Sequence, residues 1–243
     1  MKNLRIIYVF SLLLAFAFSG CEKEYEDLYT VTNYADFKME GDEIIFNPFG
    51  SPFTDPGVKA SEAGADLPVT TTVSGDYFGG TSFDPNVADR YVYTYSATNS
   101  DGYPGSTTRY VYNIQTGDLV SSIEGLYTST VVRNGVVAPA YTDMEYVMIA
   151  KTGENTYGLS DAIGGYYDIG RGFGADYRAQ GMTITATNIP GNQFTFGTAE
   201  VGTFGGVVTM ESMTVDPVAK TIVLTNSWDA GYTFEITLTQ VEL

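Results

Sequence analysis

The chain has 243 residues, enough for one or two domains with real cores, and 27 Gly, 19 Tyr and 14 Phe at 17% charged residues describe a β-rich protein with many tight turns. It carries 12 Lys and Arg against 29 Asp and Glu, a formal charge of −17, and no histidine. The acidity speaks against a nucleic-acid partner, whose phosphates need clustered cations, and the missing imidazole excludes Ser-His-Asp catalysis, Cys-His catalysis and His-ligated zinc.

Residues 1–20 read as a signal peptide. Lys2 and Arg5 precede an apolar run from Ile6 to Phe18 that only Ser11 interrupts, and 13 residues are too few to span a bilayer core that takes roughly 20 as helix. Phe18-Ser19-Gly20-Cys21 follows, and Cys21 is the only cysteine. This segment resembles the lipobox of bacterial lipoproteins, with Phe18 where that family usually has Leu, and the resemblance implies lipidation at Cys21. Loss of residues 1–20 removes two cations and no acid, leaving 10 basic against 29 acidic residues, a net of −19 without any disulfide. Glu22-Lys23-Glu24-Tyr25-Glu26-Asp27 opens an expected acidic tether spanning 21–42. It resembles the export signal of surface-exposed Bacteroidetes lipoproteins, which implies an outer-membrane protein facing the cell exterior and touching the membrane through its lipid alone.

Residues 43–116 read as a β-sandwich. Asp55-Pro56-Gly57 makes a turn, Leu67 to Val73 and Arg90 to Thr98 are strand-like, Asn99-Ser100-Asp101-Gly102 turns the chain, and Thr107 to Ile114 returns it. The segments Phe53 to Ala60, Tyr91 to Gly102 and Arg109-Tyr110-Val111 resemble a family of bacterial immunoglobulin-like domains also found in some pesticidal crystal proteins, with Asn99 where that family usually has Asp. The resemblance implies an Ig-like spacer. Asp84, Asp89 and Asp101 fall in predicted loops, but no D-x-D-x-D-G calcium loop is present, so they are expected to be solvated turn residues.

Residues 117–243 read as a second all-β region, an antiparallel β-barrel or sandwich of eight or nine strands. Tyr232, Phe234, Ile236 and Leu238 alternate with polar residues and are expected to share one buried face. Met182 to Thr187 repeats the pattern, and further strands are expected at Glu145 to Lys151, Gln193 to Thr198, Val207 to Val215 and Lys220 to Asn226. The block from Ser160 to Gly174, continuing to Tyr177, resembles the C-terminal domain of uncharacterised gut Bacteroides lipoproteins, which pair it with an Ig-like domain.

That block is also the most site-like stretch. Tyr166, Tyr167, Phe173 and Tyr177 supply flat rings on which pyranose C–H faces stack, Asp168 and Arg171 supply groups for sugar hydroxyls, and five glycines between 164 and 174 let a backbone come close. A fold without ligand would use the same residues for turns, core and an Arg171 pair with Asp168 or Asp176. No helix follows to make a phosphate loop, and nothing selects a carboxylate pair for glycoside hydrolysis. Trp228 stands before the last strand, as a loop platform or a core anchor. The expectation is therefore a non-catalytic surface lipoprotein without cofactor or metal. It binds glycan or supports a glycan-uptake assembly beside an outer-membrane transporter, with a protein-protein interaction module as the alternative.

Overall fold

The computed structural model describes residues 31–242, so the signal segment, Cys21 and the acidic run after it lie outside the described residues. Seven strands make the first region: β1 (Asp36–Met39), β2 (Ile44–Pro48), β3 (Val58–Glu62), β4 (Ala65–Leu67), β5 (Thr70–Gly75), β6 (Asp89–Thr98) and β7 (Pro104–Ile114). They form sandwich-like sheets of order β1-β3-β4 and β2-β7-β6-β5, antiparallel except for β2 beside β7. In β6 every second side chain turns inward, so Tyr91, Tyr93 and Tyr95 join Val111, Phe53 and Phe83 in the core.

Three expectations need correcting here. The tether does not run to residue 42, because Asp36–Met39 already form β1, paired antiparallel with β3. Leu67 to Val73 is not one strand: Pro68 has no N–H for a ladder, so the chain leaves one sheet after β4 and enters the other at β5. Nor is Asp89 a solvated turn residue. It opens β6 fully buried, and its carboxylate accepts hydrogen bonds from the backbone N–H of Tyr77 (2.8 Å), Phe78 (3.1 Å) and Arg90 (2.7 Å), tying the loop after β5 to the sheet.

The Asp55-Pro56-Gly57 turn has a defined purpose. Asp55 accepts from Tyr95 Oη at 2.7 Å and pairs with the guanidinium of Arg109, which is wholly buried and also donates to the carbonyl oxygens of Asp42 (2.9 Å) and Glu40. A guanidinium withdrawn from water is tolerable only when its donors are met, and here the turn meets them.

The second region holds ten strands, one or two more than expected: β8 (Gly125–Arg133), β9 (Met144–Lys151), β10 (Thr156–Leu159), β11 (Ala179–Gln180), β12 (Thr183–Asn188), β13 (Gln193–Phe196), β14 (Thr198–Val201), β15 (Val207–Asp216), β16 (Thr221–Trp228) and β17 (Tyr232–Gln240). They belong to one antiparallel sheet of order β11-β14-β15-β16-β17-β8-β9-β10-β12-β13 that curls into a half-barrel. Along β17 the burial alternates as expected, with Phe234, Ile236 and Leu238 in the core beside Val131, Ile222 and Leu224 and Tyr232 half-buried at the rim.

The two regions are not beads on a thread. Tyr77, Tyr112 and Ile114 of the first pack with Leu126, Met148 and Ala150 of the second in one buried cluster. Beside it the buried Arg178 binds Asp76 at 3.0 Å across 102 residues of sequence, while Asp76 also pairs with Arg90. Those two arginines hold the Asp76 carboxyl below its usual range in spite of its burial.

Candidate functional site

The Gly/Tyr block is laid across the inside of the half-barrel, and its first glycines are dictated by contact. A Cβ on Gly164 would stand 2.8 Å from Ile236 Cγ2, Ser129 Oγ and Val131 Cγ2, and φ there is +66°. Only glycine lets the backbone press so close in a left-handed conformation. The chain then winds through one π-helical turn, Tyr166–Gly170, in which Gly170 N–H donates to Gly165 O (3.0 Å) and Arg171 N–H to Tyr166 O (3.1 Å). A 3-10 turn, Ala175–Tyr177, returns it to the sheet at β11.

The turn directs its side chains in two layers. Tyr166 and Tyr167 point inward and are 3% and 6% exposed. Tyr166 stacks on Tyr141 at 4.2 Å and meets Phe234 edge-on at 5.6 Å, while the guanidinium of Arg133 covers it at 4.8 Å. Tyr167 stacks under Phe173 at 6.2 Å and meets Phe204 (5.0 Å) and Trp228 (6.0 Å) edge-on. Neither buried ring keeps a face for a sugar, contrary to what the sequence suggested for them.

Above them lies the outer layer. Phe173 is 44% exposed, Phe204 is 49% exposed, and half-buried Tyr177 sits 5.2 Å from the first and 4.9 Å from the second. Arg171, exposed at the rim, places its guanidinium 5.5 Å from the Phe173 ring centroid and donates to Tyr141 Oη at 3.3 Å. Asp168 is not available to a ligand through a free carboxylate: it pairs with Arg178, so the expected Arg171 partnership does not form. Of the six residues named from sequence, Arg171, Phe173 and Tyr177 therefore form the surface and Tyr166, Tyr167 and Asp168 support it.

Three contributors were not legible beforehand, and a fourth, Trp228, is the core anchor that the sequence offered as one of two readings. Phe204 comes from Gly202-Thr203-Phe204-Gly205-Gly206, a turn whose aromatic among glycines repeats the signature of the block itself. Trp228, in β16 and not in a loop, holds that turn by donating Nε1–H to Gly205 O at 3.2 Å. Arg133 and Tyr141 come from the end of β8 and the 3-10 turn Pro139–Tyr141, and no local pattern marks them.

Arg133, Asn134, Val136, Ala138, Tyr141 and Tyr166 line a cavity of about 220 Å³. The Arg133 guanidinium lies 4.8 Å from both the Tyr166 and Tyr232 rings and donates to Tyr167 Oη at 3.3 Å. Bonding to Tyr166 and then to Arg171, with the Arg133 charge adding to it, pulls the Tyr141 phenol below its ordinary range, whereas burial first and that same bond push Tyr166 up to about 12. Arg171 thus bridges the cavity rim and the Phe173 surface. A larger cavity of about 400 Å³, between Phe46, Phe49 and Ile114, has no charged residue in its lining, and Asn47 there is already spent on Asn113 (3.0 Å) and Ser51 O (2.9 Å). The block is the better candidate because polar and aromatic groups converge on it.

Beneath the block Asp161 is fully buried. Its Oδ1 accepts from the N–H of Ile163 (2.9 Å) and Ala179 (3.2 Å), its Oδ2 has no partner among the described residues, and burial pushes the carboxyl up to about 7.

Comparison with known proteins agrees with this architecture. A family model of the bacterial surface protein Ig-like domain matches residues 37–112, and one of a BT2262-like C-terminal domain matches residues 116–240. The fold is similar to the crystal structure of the lipoprotein BT2262 from Bacteroides thetaiotaomicron, with a TM-score of 0.65 and 28% identity over 85% of this chain and 100% of that one. No curated protein matches the chain.

Proposed function

We propose that this chain, which belongs to the Bacteroides surface lipoprotein family joining an Ig-like domain to a BT2262-like C-terminal domain, captures glycan at the cell surface without transforming it. Cys21 carries the lipid, the protein stands on the outer membrane facing outward, and the captured chain passes to a transport partner there. The observation that carries this reading is the exposed Phe173 and Phe204 with Tyr177 between them, seated on buried Tyr167 and Trp228. Rings fixed from beneath lose little freedom when a sugar stacks on them, so their affinity is not spent on ordering. Two carboxylates of the block are spent on the fold: Asp168 is paired with Arg178 and Asp161 is buried.

A glycan array probed with the protein tests the proposal. Phe204→Ala is expected to weaken any hit roughly tenfold or more, as loss of one stacked ring does, and retention of full affinity would remove the site from this surface. One feature favours a second reading. Strand β2 is an edge, and its Ile44 and Phe46 are 43% and 41% exposed, a surface on which a partner's strand can add. Silence across diverse glycans, with capture of an outer-membrane partner that Phe46→Lys abolishes, would select that reading instead.

A further inference from the structure

We infer that the site takes a saccharide bearing an anionic group, a uronic acid or a sulfated sugar, with its ring on Phe173 and Phe204 and its anion at Arg171 and Arg133. The inference rests on the glycan reading and specifies it.

This acidic chain spends three of its described arginines on carboxylates. Among the described residues Arg90 pairs with Asp76, Arg109 with Asp55, and Arg178 with both Asp76 and Asp168. Arg133 and Arg171 pair with no carboxylate among those residues, although 29 acids outnumber 12 bases in the chain. Both converge on one place. Arg133 lines the cavity beside Tyr141 and Tyr166, and Arg171 reaches the Tyr141 hydroxyl from the side of Phe173.

Each guanidinium is positioned but not consumed. Arg133 is held by the Tyr166 and Tyr232 rings and makes one hydrogen bond, at 3.3 Å, to Tyr167; Arg171 makes one, also at 3.3 Å, to Tyr141. A guanidinium has five N–H donors, and bonds of that length are weak. What remains is the fork that carboxylate and sulfate groups bind bidentately. A neutral sugar would leave both charges without a counter-ion, whereas an acidic one supplies it beside the rings.

Calorimetry on the full-length protein in detergent, with three galactan-type oligosaccharides of equal length, tests this. One is an oligogalacturonate, one a sulfated galactan fragment and one a neutral galactan fragment. At least one acidic fragment is expected to bind about tenfold tighter than the neutral one, the scale of a hydrogen bond to a charged group, and which of the two does so separates carboxylate from sulfate. Arg171→Gln should erase that preference with the melting temperature unchanged, and Arg171→Lys, which keeps the charge, should retain part of it. Equal affinity for all three, or a preference that survives Arg171→Gln, overturns the inference and leaves glycan binding standing. No binding by any fragment, together with silence on the array from a folded protein, overturns the glycan reading and the inference with it.

Discussion

The Asp55 turn of the first region and the Gly/Tyr block of the second are made of the same materials, aromatic rings, an aspartate and an arginine, and they use them oppositely. Arg109 is wholly buried, with Asp55, Tyr95 and three backbone carbonyls around it, so its charge is settled inside the fold. Arg171 is exposed, touches a phenol and a ring, and pairs with no carboxylate among the described residues. Residue type therefore does not distinguish a structural motif from a binding surface. Whether the donors are already satisfied does.

Substitutions can break or sharpen this contrast, and the largest effect belongs to the settled charge. Asp55→Ala leaves Arg109 buried without its carboxylate and should cost about 3–5 kcal/mol in chemical denaturation. Next comes the supporting layer: Tyr167→Ala removes a buried ring and should cost about 3 kcal/mol, where a surface ring would cost far less. Asp161 gives an effect that depends on pH. Its folded carboxyl titrates near 7 against an ordinary 3.8, so the folded state keeps a proton that the unfolded chain releases, and stability falls as pH rises from about 4 to 7. Asp161→Asn, which mimics the protonated form, should flatten the change in melting temperature between about pH 5 and pH 8. Smallest of all, Phe204→Ala should change stability by less than about 1 kcal/mol while weakening the ligand, and a larger loss would place Phe204 with the supporting layer.

Much of the fold was legible because it is periodic. Phe234, Ile236 and Leu238 announce their face by alternation, and Tyr91, Tyr93 and Tyr95 do the same. The split at Pro68 was readable in principle, since a residue without an N–H interrupts a ladder, but the β-branched run around it masked the break. Asp89 misled because an aspartate between turn signals looks solvated, and only the fold brings the three N–H groups that bury it. The candidate site was half legible for a similar reason. Phe173, Tyr177 and Arg171 are local to the block, whereas Arg133, Tyr141, Phe204 and Trp228 arrive from other strands and turns through sheet register and packing. The partner of Asp168 was misjudged because Arg178 reaches it only when the 3-10 turn after Gly174 brings the chain back.

The junction between the regions bears on how a tug would travel. A polymer held as proposed above would pull on the residues that hold it. If residues 115–117 were the sole link, that force would run along one extended strand of backbone, and the Ig-like region would trail behind. Here Tyr77, Tyr112 and Ile114 mesh with Leu126, Met148 and Ala150, and Arg178 clasps Asp76. Traction at the Gly/Tyr block is therefore shared across a broad seam, reached directly through Asp168 and Arg178, and the two regions should yield together under load instead of one after the other.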